Sequence, residues 1–161
     1  MKPIDIMEKA QIGGYAIGQF NISTDEQITA IVEAAKELNA PVIIGTSEGE
    51  REFIGVDQVV ALVKTWQKET GLPIILNADH CKDFDSAKEV IDAGYDAVHF
   101  DGSKLPFKEN TEITRRVVEY AKIVNPSIIV EGELGYLRGG SDIHQEIKID
   151  LSDLTEPEEA K

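Results

Sequence analysis

Short runs of β-branched and aromatic residues alternate with longer stretches of helical periodicity along this chain, and no other feature limits its fold so strongly. Five runs read as strands, at residues 15–20, 42–44, 74–76, 97–100 and 128–130, and two of them follow a proline directly, Pro41 and Pro73. Between the first two, Ile28, Ile31, Val32, Ala35 and Leu38 recur at helical spacing behind a capping box of Thr24 and Gln27. A second stripe, Val59, Val60, Leu62, Val63 and Trp66, is closed by Gly71, and its tryptophan reads as core. A short third helix, from about 86 to 93, turns Ala87, Val90 and Ile91 inward and stops at Gly94. The fourth carries Ile113, Val117, Tyr120, Ala121 and Val124 and ends before Asn125 and Pro126, because the residue preceding proline is pushed out of helical geometry. Strands joined by helical crossovers run parallel, which leaves an open doubly wound sheet or a (β/α) barrel, and periodicity alone does not choose between them.

At 161 residues the size is that of one domain. Lysine and arginine number 16 against 30 acidic residues, and a net charge of −14 repels phosphate backbones and anionic lipid, so nucleic acid and membrane are not expected partners. The lone Cys81 has no internal disulfide partner, no window has the length and apolarity of a membrane span, and the N-terminus lacks a signal-peptide pattern; the expected compartment is the cytoplasm. Near the other end, Thr155, Glu156, Pro157 and Glu158 resemble a helix start followed by only a few residues, so the chain is expected to be a fragment.

Each strand hands over at its carboxyl end to polar groups: Asn21 and Ser23, then Thr46, Ser47 and Glu48, then Asn77, Asp79 and His80, then Asp101 and Ser103, then Glu131 and Glu133. Parallel α/β folds bind ligands at that end, and carboxylates with a histidine there point to a metal or proton-transfer site. Residues two apart on a strand share a face, which pairs Asn77 with Asp79, His99 with Asp101 and Glu131 with Glu133. The plainer alternative makes Asp79 or Asp101 a helix cap and His80 a loop hydrogen-bonder. His99, inside an apolar strand, reads as a core histidine whose parity with Asp101 leaves room for a supporting role beside the site. His144 lies in a glycine-rich charged segment and reads as solvated, Cys81 as a structural thiol, and the run Glu48, Glu50 and Glu52 as a solvated loop face.

Four segments are familiar as a set: Asn77-Ala78-Asp79-His80-Cys81, Ala93-Gly94-Tyr95, the stretch from Asp101-Gly102-Ser103 to Glu109-Asn110, and Glu131-Gly132-Glu133-Leu134-Gly135. In this order and spacing the chain resembles the zinc-dependent class II fructose-bisphosphate aldolases, and Gly14-Tyr15-Ala16-Ile17-Gly18-Gln19-Phe20-Asn21-Ile22 is similar to that family's first strand. The resemblance implies a (β/α)8 barrel of TIM type, which typically needs about 250 residues, so that this chain supplies about five βα units as the N-terminal part of a single barrel domain. It implies an enzyme, a lyase of glycolysis and carbohydrate metabolism, that reversibly cleaves a ketose 1,6-bisphosphate to dihydroxyacetone phosphate and an aldehyde.

Residue by residue, the resemblance makes His80 a zinc ligand and Asp79 the acid/base carboxylate that moves the proton of the hydroxyl beside the broken bond. Asp101 and Glu133 match acidic positions that hold a metal ion, including a second divalent or a monovalent cation, and Asn21 and Ser47 fall to substrate binding. Zinc would stabilise the enediolate left by cleavage, so no lysine Schiff base is required. Two departures stand out: family members often carry histidine where this chain has Asn77, and residues 135–142 differ from the usual glycine-glycine loop. The family's other zinc histidines come from later strands, and neither His99 nor His144 matches them. The expectation is therefore an inactive 161-residue chain that associates with copies of itself or awaits a C-terminal half. The competing reading is a five-stranded flavodoxin-like phosphoacceptor module with Asp79 after its third strand; a third is a non-catalytic half-barrel that serves in assembly.

Overall fold

The computed structural model of the chain describes residues 2–136 and 154–160. Helices and strands follow in the order α1 (Pro3–Gly13), β1 (Gln19–Asn21), α2 (Asp25–Leu38), β2 (Val42–Thr46), α3 (Glu48–Ile54), α4 (Val56–Thr70), β3 (Ile74–Cys81), α5 (Phe84–Ala93), β4 (Ala97–Phe100), α6 (Phe107–Val124) and β5 (Ile129–Gly132). All neighbouring strands pair in parallel, in the spatial order β1-β2-β3-β4-β5. That order decides between the two architectures left open above. A flavodoxin-like sheet doubles back to the order 2-1-3-4-5, whereas strands added one after another on the same side build a barrel wall.

The caps explain where helices begin. Thr24 accepts a hydrogen bond from the Gln27 amide while the Gln27 side chain accepts from the Thr24 amide, so two orphan N–H groups at the start of α2 are satisfied. Asp83 does the same for α5, which therefore begins at Phe84, two residues ahead of the expected start. Gly71 and Gly94 close α4 and α5 in the left-handed conformation.

Strand alternation divides the core. Val42, Ile44, Ile74, Leu76, Ala78, Val98 and Phe100 turn toward the helices and join Ile28, Val32, Val59, Val63, Val90 and Val117 in the main apolar cluster. Ile75 and Ala97 face the other way, where Ile6 of α1 packs against them with Ile17, Ile43 and Ile129 around it. Trp66 packs at the margin of the main cluster, as its place on the stripe predicts.

Several boundaries differ from the sequence reading. The first strand is Gln19–Asn21 and not 15–20, because the chain from Tyr15 makes its turn out of α1 first. The third strand runs five residues past its expected end, to Cys81. Two helices, α1 and α3, had no counterpart in that reading, and the run Glu48, Glu50 and Glu52 is one of them, not a loop. The segment around Thr155 to Glu158 forms a turn, with the Glu159 amide bonded to the Glu156 carbonyl and the Thr155 hydroxyl donating to Leu134 O. His144 lies outside the described residues.

Candidate metal and proton-transfer site

The site is built at the carboxyl ends of the strands, and its centre is an irregularity in β3. Ala78 pairs with Val98 and Cys81 with Phe100, so three steps along β3 match two along β4. Within the extra residue's span His80 adopts φ +52, a left-handed conformation that bulky side chains rarely take. In a regular strand Asp79 and His80 would point to opposite faces. The bulge lets both serve one site while Cys81 returns to the helix-side core, fully buried, its thiol pushed up to about 11 mainly by burial.

Around this bulge the side chains converge. Asn21 at the end of β1 donates to Asp79 Oδ2 at 2.8 Å and to Glu50 Oε2 at 3.3 Å. His80 Nδ1 lies 3.0 Å from Asp101 Oδ2 and 3.4 Å from Glu133 Oε2, and its Nε2 lies 3.9 Å from Asp79 Oδ1. Asp101 is held on its other oxygen by the amide and hydroxyl of Ser103, at 3.1 and 2.5 Å. Asp79, His80, Asp101, Glu133 and Asn21 thus meet at the carboxyl ends of the strands, His80 joining Asp79 through the bulge and not through strand parity. Ser47 lies in the loop after β2, where its hydroxyl accepts from the Glu50 amide and caps α3.

Behind the site stand two polar residues to which the sequence reading gives no role, Arg51 and Asn110, and a third, Glu50, which it places on a solvated loop face. Arg51 of α3 is buried and donates to the carbonyls of Thr46 and Asp79, tying the ends of β2 and β3 together, while its other nitrogen reaches Cys81 Sγ at 3.6 Å. Asn110 of α6, also buried, donates to Glu133 O at 2.7 Å and fixes the end of β5. Glu50 accepts from Asn21 and from the Ser23 hydroxyl. The available signal was the spacing Ser47-x-x-Glu50, a capping-box pattern that announces α3 and with it the inward turn of Arg51.

His99 is buried, as its place inside an apolar strand suggests, and it faces the site. Its ring sits 4.4 Å from that of His80, Nδ1 lies 3.8 Å from Asp79 Oδ1, and Nε2 lies 3.2 Å from Glu133 Oε2. It shares the site face with Ile75, Asn77 and Ala97, as alternation requires.

The charges respond to this crowding. His99 foremost, then Asn21 and His80, hold the Asp79 carboxyl below its usual range against the opposing pull of partial burial. Burial raises Asp101 but the Ser103 hydrogen bonds and His80 outweigh it and bring the carboxyl down to about 2. Glu133 moves the other way, raised by burial and by repulsion from Asp101. Burial disfavours a charged His99, yet Asp79, Glu131 and Glu133 together raise its pKa.

The donor set suits a divalent cation. Asp79, His80 and His99 form one group, and His80, Asp101 and Glu133 another, each with its ligand atoms within 4.8 Å of one another. Among the described residues, His99 Nε2 and Glu133 Oε2 are the buried side-chain polar atoms without a hydrogen-bond partner. Buried polar atoms are ordinarily satisfied, and a pair left open in a cluster of nitrogen and carboxylate donors is what a bound ion would complete.

Five parallel strands alternating with helices, with a candidate site at their carboxyl ends, are part of a TIM-type barrel, and the comparisons agree. The family described as class-II fructose-bisphosphate aldolase matches residues 2–161. The chain is 38% identical over 164 residues to the fructose-bisphosphate aldolase of Helicobacter pylori, an alignment that takes in 100% of this chain and 52% of that protein. It is 41% identical over 141 residues to that of Staphylococcus epidermidis, covering 86% of this chain and 49% of the relative. The crystal structure of the YdjI aldolase from Escherichia coli K12 is similar at a TM-score of 0.76 and 25% identity, over 86% of this chain and 53% of that one. The chain belongs to the class-II fructose-bisphosphate aldolase family. It spans about half the length of the curated relatives it matches.

Proposed function

We propose that these 161 residues are the N-terminal part of a (β/α)8 barrel whose complete form is a zinc-dependent aldolase. Its reaction is the reversible cleavage of a ketose 1,6-bisphosphate to dihydroxyacetone phosphate and an aldehyde. The observation that carries the reading is the meeting of Asp79, His80, Asp101 and Glu133 around the β3 bulge. A sugar phosphate as substrate brings the cytoplasm with it as compartment.

In this reading His80, Asp101 and Glu133 hold the cation, and zinc when bound supplies Lewis-acid stabilisation of the charge that cleavage leaves on the substrate oxygens. Asp79 takes the proton of the substrate hydroxyl beside the breaking carbon–carbon bond in cleavage and returns it in condensation. Its depressed pKa keeps the carboxylate ionised before the substrate arrives. Asn21 grips Oδ2 of Asp79, which leaves Oδ1 directed toward the histidines, and the residue is assigned to the substrate side of the site. Ser47, at the loop after β2, is assigned to the substrate side of the same rim.

The test uses the full-length gene product with fructose and tagatose 1,6-bisphosphate. Chelation with EDTA is expected to abolish cleavage and zinc to restore it, while borohydride in the presence of dihydroxyacetone phosphate leaves activity intact. Activity that survives chelation and is lost to borohydride would instead mean a lysine Schiff base and end this reading.

A further inference from the structure

We propose that His99 is a direct ligand of the site's cation, so that this half of the barrel supplies two imidazoles, His80 and His99, together with Glu133. The inference rests on the metal reading of the site and goes beyond it, because the resemblance assigns no role to position 99 and takes its further histidines from strands outside this chain.

Geometry carries the assignment. The His99 side chain is 9% exposed, and its Nε2 has no hydrogen-bond partner. That nitrogen stands 3.2 Å from Glu133 Oε2, itself without a partner, and the two meet without the alignment of a hydrogen bond. The same Glu133 oxygen lies 3.4 Å from His80 Nδ1. Zinc bound at about 2.0–2.1 Å in a tetrahedral shell sets its ligand atoms roughly 3.3 Å apart, so each of the two spacings is that of a pair of ligand atoms on one ion, and His99 forms a group with Asp79 and His80 whose ligand atoms lie within 4.8 Å of one another. A direct contact explains them less well, since it would leave two desolvated atoms unpaired. The far nitrogen fits as well. His99 Nδ1 faces Asp79 Oδ1 at 3.8 Å, and a metal-bound imidazole commonly turns its other nitrogen toward a carboxylate that orients it. Asp79 would then sense the cation through His99 as well as through His80.

The position in the fold supports this placement. His99 is opposite Glu131 in the β4–β5 register, on the strand face that carries Asn77 and Asp79. Its ring is fixed by β4 and by the His80 ring at 4.4 Å, so little reorganisation is needed to accept an ion.

The experiment titrates the 161-residue chain with zinc ions against a chromophoric chelator and counts imidazoles around the bound zinc by X-ray absorption. Two imidazoles are expected in the wild type and in His144→Ala, and one in His99→Gln. The affinity of His99→Gln and His99→Met should fall by more than the roughly 10- to 100-fold that loss of an outer-shell partner brings. The wild-type count stands on its own should either variant fail to fold. One imidazole in the wild type, with zinc lost in His80→Ala but retained in His99→Gln, would overturn the role of His99 and leave the metal site standing. Zinc binding indifferent to both histidines, or none at all, would overturn both.

Discussion

At His80 a single residue carries two demands, a ligand position and a backbone conformation with φ +52. An L-residue in that region pays roughly 1–2 kcal/mol, a penalty glycine escapes. His80→Gly is therefore expected to be more stable than His80→Ala by about 1 kcal/mol in metal-free denaturant unfolding, the reverse of the order at an ordinary strand position. Asp101 supplies the pH test at this scale. Its folded pKa, about 2, lies below the ordinary 3.8, so its stabilising effect is complete above about pH 4 and is lost as pH falls toward 2. Metal-free Asp101→Asn should show a flatter loss of stability through that window than the wild type, measured by unfolding at stepped pH. Asp79, His80, Asp101 and Glu133 were legible as candidates because each follows the end of an apolar run within four residues. The place of His99 beside them was not, since an imidazole in an apolar strand looks the same whether it is packed or turned toward a cluster of carboxylates.

Elements meet here through buried polar groups more than the sequence pattern shows. Gly45 on β2 pairs with Asn21 on β1, and a Cβ at Gly45 would collide with the Asn21 amide oxygen. The absent side chain is what lets Asn21 lie across the sheet to Asp79. Gly45→Ala should cost about 1–3 kcal/mol, and adding Asn21→Ala should recover most of it, a coupling read from a double-mutant cycle. Arg51 has the equivalent task between β2 and β3, and Asn110 between α6 and β5. Helices α2, α4, α5 and α6 were legible from their apolar stripes. Helix α3 was hidden because it is short, alternates acidic residues with others, and has an arginine as its fully buried side chain, and the β3 bulge was hidden because a one-residue change of register leaves no mark in composition.

At the largest scale, the sheet of the described residues has two edges, β1 and β5. Beside β1 lies an apolar groove of about 700 Å³ lined by Tyr15, Phe20, Ile31 and Leu38 among others, and Phe20 and Leu38 are 52% and 75% exposed. Unpaired strand edges next to apolar surface invite further pairing. The isolated 161-residue chain is expected to elute above its 17.7 kDa mass in light-scattering chromatography at micromolar concentration. A monodisperse monomer would show that these edges are protected. The parallel α/β class was legible in the alternation of elements, while the choice of barrel over doubly wound sheet depended on strand order, which no local pattern encodes. Among the described residues no helix is long and apolar enough to cross a membrane. The most direct test of the account is steady-state cleavage of ketose 1,6-bisphosphate by the zinc-loaded full-length gene product and its Asp79→Asn variant. Loss of the positioned carboxylate should lower kcat by about 10²- to 10⁴-fold with zinc content unchanged; an undiminished kcat would contradict the assignment of proton transfer to Asp79.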